Sequence, residues 1–325
     1  MDDIDMSLSA PAIRGPLGER DQALLELLQR LGACGYSFTT PTQSTHRIVA
    51  RRLRVGQSAG LRDVFGWNLA FHAQDVDPEM LNLMRRGRIL RRRGLRLKSK
   101  LRVASLGGRL FLHSAFPPSA SDAVFFGPDS YRFAEFVRAK FPRLAEGARI
   151  LDIGAGSGVG GITAVGLAPT AKLILTDVNP KALGLAKINA ASAGVSAQFV
   201  QTSGLDGIDA GLDLILANPP FIAGSGGRTY RDGGEMHGGE ISLAWAKAAA
   251  ERLAPGGRLL MYTGSAIVAG ADRLKEALGD ALRAARCSFE YREIDPDIFG
   301  GTLRLPSYRE VERIAAVGLV AVKEG

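Results

Sequence analysis

Cysteine is nearly absent: the 325 residues hold two, Cys34 and Cys287, far apart. That excludes a disulfide framework and a zinc site built on paired cysteines, and a reducing, cytoplasmic setting is expected. Histidine is scarce too. His46, His72, His113 and His237 are scattered, and none stands at ligand spacing from another, so no metal is expected. Long apolar runs are missing. The longest, residues 314–322, falls well short of the ~20 residues that span a bilayer, so no membrane partner is expected. Met1–Met6 carry three aspartates and no basic residue, unlike a signal or transit peptide. There is no Walker A sequence and no Gly-x-Ser-x-Gly elbow, which argues against a P-loop ATP enzyme and an α/β-hydrolase. What is present is ordinary for a folded chain: 46% hydrophobic and 23% charged residues, which excludes collagen and bulk disorder. The length suits one large domain or two ordinary ones.

Charge is unevenly spread. The net +8 lies wholly in residues 1–120, where 19 Lys and Arg face 10 Asp and Glu. It concentrates in an acid-free run: Arg85, Arg86, Arg88, Arg91, Arg92, Arg93, Arg96, Lys98, Lys100, Arg102 and Arg109. Such a run attracts phosphate or an acidic protein face. Nucleic acid or a ribonucleoprotein, such as a ribosomal particle, is the first expected partner and an acidic protein the second, the alternative being a solvated arginine-rich surface with no partner.

The hydrophobic pattern divides the chain. Residues 20–31 repeat leucine at helical spacing, with Gly32 as the expected stop. Residues 95–111 alternate as a hairpin that turns at Gly107-Gly108. A helix and a basic hairpin suit a small winged-helix-like unit. Residues 114–122, with Pro117-Pro118, read as a linker. The expected domains are 1–118, a basic substrate-recognition unit, and 119–325. The second alternates strand and helix, with strands at 148–153, 171–176, 196–200, 212–217, 257–262, 287–294 and 314–322. Helices are expected at 129–141, 180 onward, 241–253 and 272–285. The pattern predicts an α/β fold with a parallel sheet covered on both faces.

A glycine-rich turn, Asp152-Ile153-Gly154-Ala155-Gly156-Ser157-Gly158, follows the first of these strands and opens a helix. Glycines let a ligand approach the backbone. Gly156-x-Gly158-x-x-Gly161 formally matches the dinucleotide fingerprint. Asp152 distinguishes the alternatives. It would face the pyrophosphate of a dinucleotide, whereas it suits the cationic amino group of S-adenosylmethionine (SAM). Asp177 ends the second strand, where a carboxylate accepts ribose hydroxyls.

Asn218-Pro219-Pro220-Phe221 ends the fourth strand and is the most specific feature of the chain. A planar nitrogen is a poor nucleophile because its lone pair is delocalised. The Asn218 oxygen and the Pro219 carbonyl can each accept one of its hydrogens. The prolines stiffen the turn, and Phe221 can stack on a flat acceptor. With these residues in this order, the sequence resembles the class I SAM-dependent N-methyltransferases bearing an (Asn/Asp)-Pro-Pro-(Tyr/Phe) motif, over about residues 123–322. The resemblance implies a Rossmann-like seven-stranded fold and methylation of a base amine or a glutamine amide. It implies SAM contacts from Ser130, Asp152, Gly154, Ala155, Gly156, Gly158, Asp177, Val178 and Asn218, and chemistry at Asn218, Pro219 and Phe221.

Two branches of that family compete. Gly127-Pro128-Asp129-Ser130 is similar to the segment ahead of the fold in release-factor glutamine methyltransferases. Phe221, in place of the tyrosine usual there, and the basic first third fit rRNA base methyltransferases. A non-catalytic SAM- or RNA-binding protein is opposed by the intact motif. Gly204 stands where many relatives carry an acid toward the adenine amino group, with Asp206 as a possible substitute. Residues 224–239 are glycine-rich and are expected to form a lid. Arg228, Tyr230 and Arg231 are its substrate-binding candidates, and His237 lies within it.

Overall fold

A computed structural model describes residues 15–53, 59–118, 120–223 and 232–325. Among the described residues, the first third holds three α-helices, two shorter helical turns at Arg62–Gly66 and Ala73–Asp75, and two hairpins. The helices are α1 (Glu19–Ala33), α2 (Gln43–Arg52) and α3 (Pro78–Arg86). The predicted stop at Gly32 is not used. α1 continues to Ala33 and the chain reverses at Gly35, whose φ of 66° glycine adopts readily. Leu24, Leu27, Leu28 and Leu31 of α1 bury against Met80, Leu83 and Met84 of α3. Asp77 caps α3 by accepting from the Met80 amide at 3.1 Å, with Pro78 at the first helical position.

The single predicted hairpin is two. β1 (Leu90–Arg93) pairs with β2 (Arg96–Ser99), and β3 (Leu101–Leu106) with β4 (Arg109–Ser114). They form separate two-stranded sheets. The Gly107-Gly108 turn is where the spacing put it. Leu95 belongs to the first turn and is 98% exposed.

The rest alternates helix and strand: α4 (Pro128–Lys140), β5 (Arg149–Ile153), α5 (Val159–Val165), β6 (Lys172–Asp177), α6 (Pro180–Ser192), β7 (Gln198–Gln201) and β8 (Leu212–Ala217). It continues with α7 (Glu235–Gly238), α8 (Glu240–Arg252), β9 (Leu253–Val268), β10 (Ala271–Asp272), α9 (Arg273–Ala284), β11 (Cys287–Asp295) and β12 (Arg313–Lys323). The strand order is β11-β12-β9-β8-β5-β6-β7, with β10 paired to β9. The sheet therefore has eight strands, not seven. The extra one is the two-residue β10, folded back antiparallel on the end of β9. β9, β8, β5, β6 and β7 are parallel, while β12 runs antiparallel to both neighbours.

Alternation along each strand separates two cores. Ile150, Leu214 and Leu216 join Phe133, Phe136, Ile162 and Leu183 of α4, α5 and α6. Leu151, Ile153, Ile215 and Ala217 face Ala246, Ala250, Leu278 and Leu282 of α8 and α9. Both sheet faces are covered, which is why the strands are nearly continuous apolar runs.

The first third joins this unit through α6. Ala182, Leu185 and Ile188 enter the core of α1 and α3. Fully buried Asn189 braces β4: its Oδ1 accepts from the Leu112 amide at 2.8 Å. Its Nδ2 donates to the carbonyls of Leu112 at 3.1 Å and Ser157 at 2.9 Å. No helix among the described residues is long and apolar enough to cross a membrane.

Candidate active site

Strand order reverses at β5, which has β6 on one side and β8 on the other. The carboxyl ends of strands at such a point leave a crevice. A cavity of about 620 Å³ lies there. It is lined by Ser130, Asp152, Gly154, Ala155, Gly156, Asp177, Val178, Asn218, Pro219 and Phe221. Nearly all the residues picked from sequence thus meet on one cavity. Gly158 does not line it. With φ at 82° it starts α5, and a Cβ there would press on Ile162 and Ala186. Arg228, Tyr230 and Arg231 lie outside the described residues.

The turn after β5 needs its glycines: Gly154 and Gly156 have φ of 61° and 57°. A Cβ on Gly154 would stand 2.5 Å from the Trp245 ring, and one on Gly204 3.2 Å from its Nε1. Trp245, on α8, is therefore a wall of the cavity that sequence reasoning missed. Its helix was legible, but not the long-range approach of its indole to two glycines.

Asp152 is 1% exposed, and its Oδ2 accepts from the Gly161 amide at 2.8 Å. Burial pushes its carboxyl up to about 7, opposed by that amide and aided by the nearby Asp177 charge. Asp177 accepts from the amides of Gly156 at 2.9 Å and Asn179 at 2.8 Å. Burial raises its pKa against these hydrogen bonds. Each oxygen keeps a second lone pair for a ligand hydroxyl. The set fits SAM: buried acid for a cation, a carboxylate for ribose, and flat apolar walls from Val178 (50% exposed) and Trp245. Asp206 is exposed and does not line the cavity; Thr202, Ser203 and Gly204 do.

Asn218 makes no side-chain hydrogen bond to another described residue, so its amide is available to a ligand. Phe221 is buried, edge-on to Phe299 with ring centroids 5.6 Å apart. Its ring lies over Gly264 of β9, where a Cβ would approach within 2.3 Å. The described part of the expected lid is tightly packed. Gly233 and Gly238 lie against the Phe221 backbone with no space for a Cβ, so these two glycines serve close approach. The Tyr308 hydroxyl donates to the His237 carbonyl at 2.7 Å and accepts from the Ala223 amide at 2.8 Å. His237 does not line the cavity.

Asp129 is buried at the first turn of α4. It accepts from the Tyr262 hydroxyl at 2.8 Å and faces Arg132 at 3.4 Å; burial raises its pKa. It also borders a second cavity, of about 870 Å³, which shares Gln43, Val124, Phe125, Asp129, Ile222 and Phe299 with the first. No His, Cys, Asp and Glu cluster among the described residues could hold a metal.

The basic run separates in the structure. Arg85, Arg86, Arg88, Arg91, Arg92, Arg93, Arg96 and Lys100 are exposed. Lys98 is buried and donates to the Phe116 carbonyl at 3.2 Å. Arg109 donates to the Ile162 carbonyl at 2.8 Å, and Arg102 is buried on β3. Lys98 and Arg109 thus serve backbone carbonyls, while Arg102 lines the second cavity.

Residues 134–288 match the family model of the methyltransferase small domain. The chain is 35% identical over 130 residues to the release factor glutamine methyltransferase of Deinococcus radiodurans, covering 37% of this chain and 46% of that protein. It is 32% identical over 119 residues to the ribosomal RNA small subunit methyltransferase C of Pseudomonas aeruginosa, covering 37% and 33%. The chain thus spans a third to a half of the length of these relatives. A crystal structure of a methyltransferase from Pyrococcus furiosus aligns over 62% of this chain and 89% of that one, with 17% identity and a TM-score of 0.43.

Proposed function

From the methyltransferase small domain at residues 134–288, we propose that the chain transfers a methyl group from SAM to a planar amino or amide nitrogen. We take the acceptor to be a base in RNA, ribosomal RNA first. One observation carries the reaction: Asn218 and Pro219 share a cavity with Asp152 and Asp177. SAM supplies a methyl group on a cationic sulfonium. Asp152 holds the ammonium of the methionine moiety, with Ser130 nearby. Asp177 accepts the ribose hydroxyls. Val178 and Trp245 flank the adenine.

On the acceptor side, the Asn218 oxygen and the Pro219 carbonyl each accept one hydrogen of the amino group. The nitrogen lone pair then points toward the methyl carbon. When bound, SAM would supply the methyl carbon and take up the S–C electron pair, while Asn218 and Pro219 would hold the amino nitrogen as it sheds one proton to solvent. Positioning and preorganised dipoles do the work. Phe221, fixed by Gly264 and Phe299, offers a wall for a flat acceptor. Residues 1–118 recognise the substrate, and Arg228, Tyr230 and Arg231 contact it.

The exposed arginines around the β1–β2 turn support RNA, because such a patch draws phosphate from any sequence. A glutamine amide of a translation protein is the second reading. The Deinococcus relative and the Pro128-Asp129-Ser130 segment favour it. The test is methyl transfer from radiolabelled SAM into extract of a strain lacking this protein, followed by nuclease or protease digestion. Nuclease-sensitive label, lost in Asn218→Ala, is expected. Protease-sensitive label would overturn the RNA reading in favour of glutamine.

A further inference from the structure

Arg102 is 4% exposed on the wall of the second cavity. Its Nε donates to the Gly66 carbonyl at 2.8 Å, and its guanidinium stands 5.8 Å from the Phe38 ring centroid. The group is therefore fixed in direction. Its Nη2 is buried with no hydrogen-bond partner. No carboxylate among the described residues pairs with it, and the nearby Tyr36 and Tyr131 phenols, their pKa values raised by burial, stay neutral. A buried, uncompensated charge is costly unless something pairs with it. Directly opposite in the β3–β4 register is His113, also buried, with Nε2 unpartnered. Native chains rarely leave such groups unsatisfied.

We propose that this cavity seats the acceptor nucleotide, with Arg102 taking an oxygen of its phosphate. This rests on the reading of the acceptor as RNA, and deepens it. A phosphate compensates the guanidinium, whereas the neutral side-chain amide of glutamine does not. Burial and the Arg102 charge keep His113 neutral. Its Nε2 then accepts a hydroxyl, which the ribose beside that phosphate supplies. Arg47 and Arg304 are exposed on the cavity rim, where they meet the neighbouring phosphates. The shared wall with the first cavity brings the base toward Asn218.

The test is calorimetric titration of the full chain with 5′-AMP, 5′-GMP, adenosine, guanosine and a short neutral glutamine peptide. A charge-assisted hydrogen bond predicts nucleotides binding about 10- to 100-fold tighter than nucleosides. R102Q removes that preference and R102K restores part of it. SAM affinity in R102Q stays at the wild-type value, because Arg102 does not line the first cavity. Should R102Q not fold, R47Q/R304Q narrows the preference from the rim. Equal affinity for nucleotide and nucleoside, a preference surviving in R102Q, or glutamine-peptide binding indifferent to Arg102 would each overturn the proposal. A chain that bound no SAM would instead overturn the methyl-transfer reading.

Discussion

Gly154→Ala carries two separable penalties. The first is backbone: φ at 61° is left-handed, which costs a residue with a Cβ about 1–2 kcal/mol. The second is steric: the new methyl would stand 2.5 Å from the Trp245 ring, where ordinary carbon contacts are ~3.5–4.0 Å. Turn or indole must give by about 1 Å, at an overpacking cost of about 1–3 kcal/mol. Together these come to about 2–5 kcal/mol, which the free chain relieves by displacing the turn or the indole, so restoring the turn around SAM should cost roughly 30- to several-thousand-fold in affinity at tenfold per ~1.4 kcal/mol. Calorimetric SAM titration of wild type, Gly154→Ala, Trp245→Ala and the double variant completes a cycle. The coupling should be about 1–3 kcal/mol, because only the steric part needs the indole. A Gly154→Ala chain binding SAM within threefold of wild type would refute the placement of this turn at the donor cavity.

Asp152 gives a pH test. Its folded pKa lies above the ordinary 3.8, at about 7, so the folded chain holds the proton more tightly than the unfolded one. Its contribution to stability therefore falls as pH rises from about 4 to 7. The ammonium of SAM requires the ionised carboxyl and keeps its own proton below about pH 7.7. SAM affinity should rise by up to about tenfold per unit between pH 5.5 and 7, and Asp152→Asn should flatten the profile; a flat wild-type curve would count against it. Gly264→Ala drives a methyl into the Phe221 ring. Turnover should drop at least tenfold with the SAM Kd within about twofold, and unchanged turnover would free Phe221 from any acceptor role. Replacing Arg91, Arg92 and Arg93 with glutamine should lower the slope of log RNA affinity against log salt by about 0.7–0.9 for each phosphate these arginines neutralise. An unchanged slope would locate docking elsewhere.

The strand-end residues that line the first cavity were legible because their determinants are local. Asp152, Asp177 and Asn218 each end a short apolar strand, and parallel neighbours bring their carboxyl ends together. The glycines of the turn announce positive φ by their type. The boundaries were less legible. The apolar alternation of residues 95–103 lapses at one position, Ser99, too short a gap to mark where β2 ends and β3 begins. β9 starts at Leu253, through Pro255-Gly256-Gly257, a string that ordinarily signals a turn. β10 has two residues and no pattern of its own. Trp245 and Phe299 were missed because a pattern shows which face of an element is apolar, not which distant glycine an aromatic meets. Phe299 carries a further sign visible only in coordinates: its φ is 56°, a left-handed backbone at the wall between the two cavities.

The basic run was the least legible feature, for a reason that bears on function. A count of charges treats every cation as surface. The fold instead uses three of them as internal donors. Arg109 satisfies the Ile162 carbonyl in the last turn of α5, and Gly166 leaves the space its guanidinium occupies. Lys98 satisfies the Phe116 carbonyl ahead of the segment that leads into α4. Both have an oxygen to account for their burial. Arg102 shares their burial but only its Nε has such an oxygen, so its Nη2 separates it from a structural cation. Under the RNA reading we propose, the same stretch of sequence would supply two different contacts to one polyanion. There the exposed arginines of β1 would attract it without selecting a sequence, and a single buried guanidinium beside the first cavity would fix where along it the reaction falls.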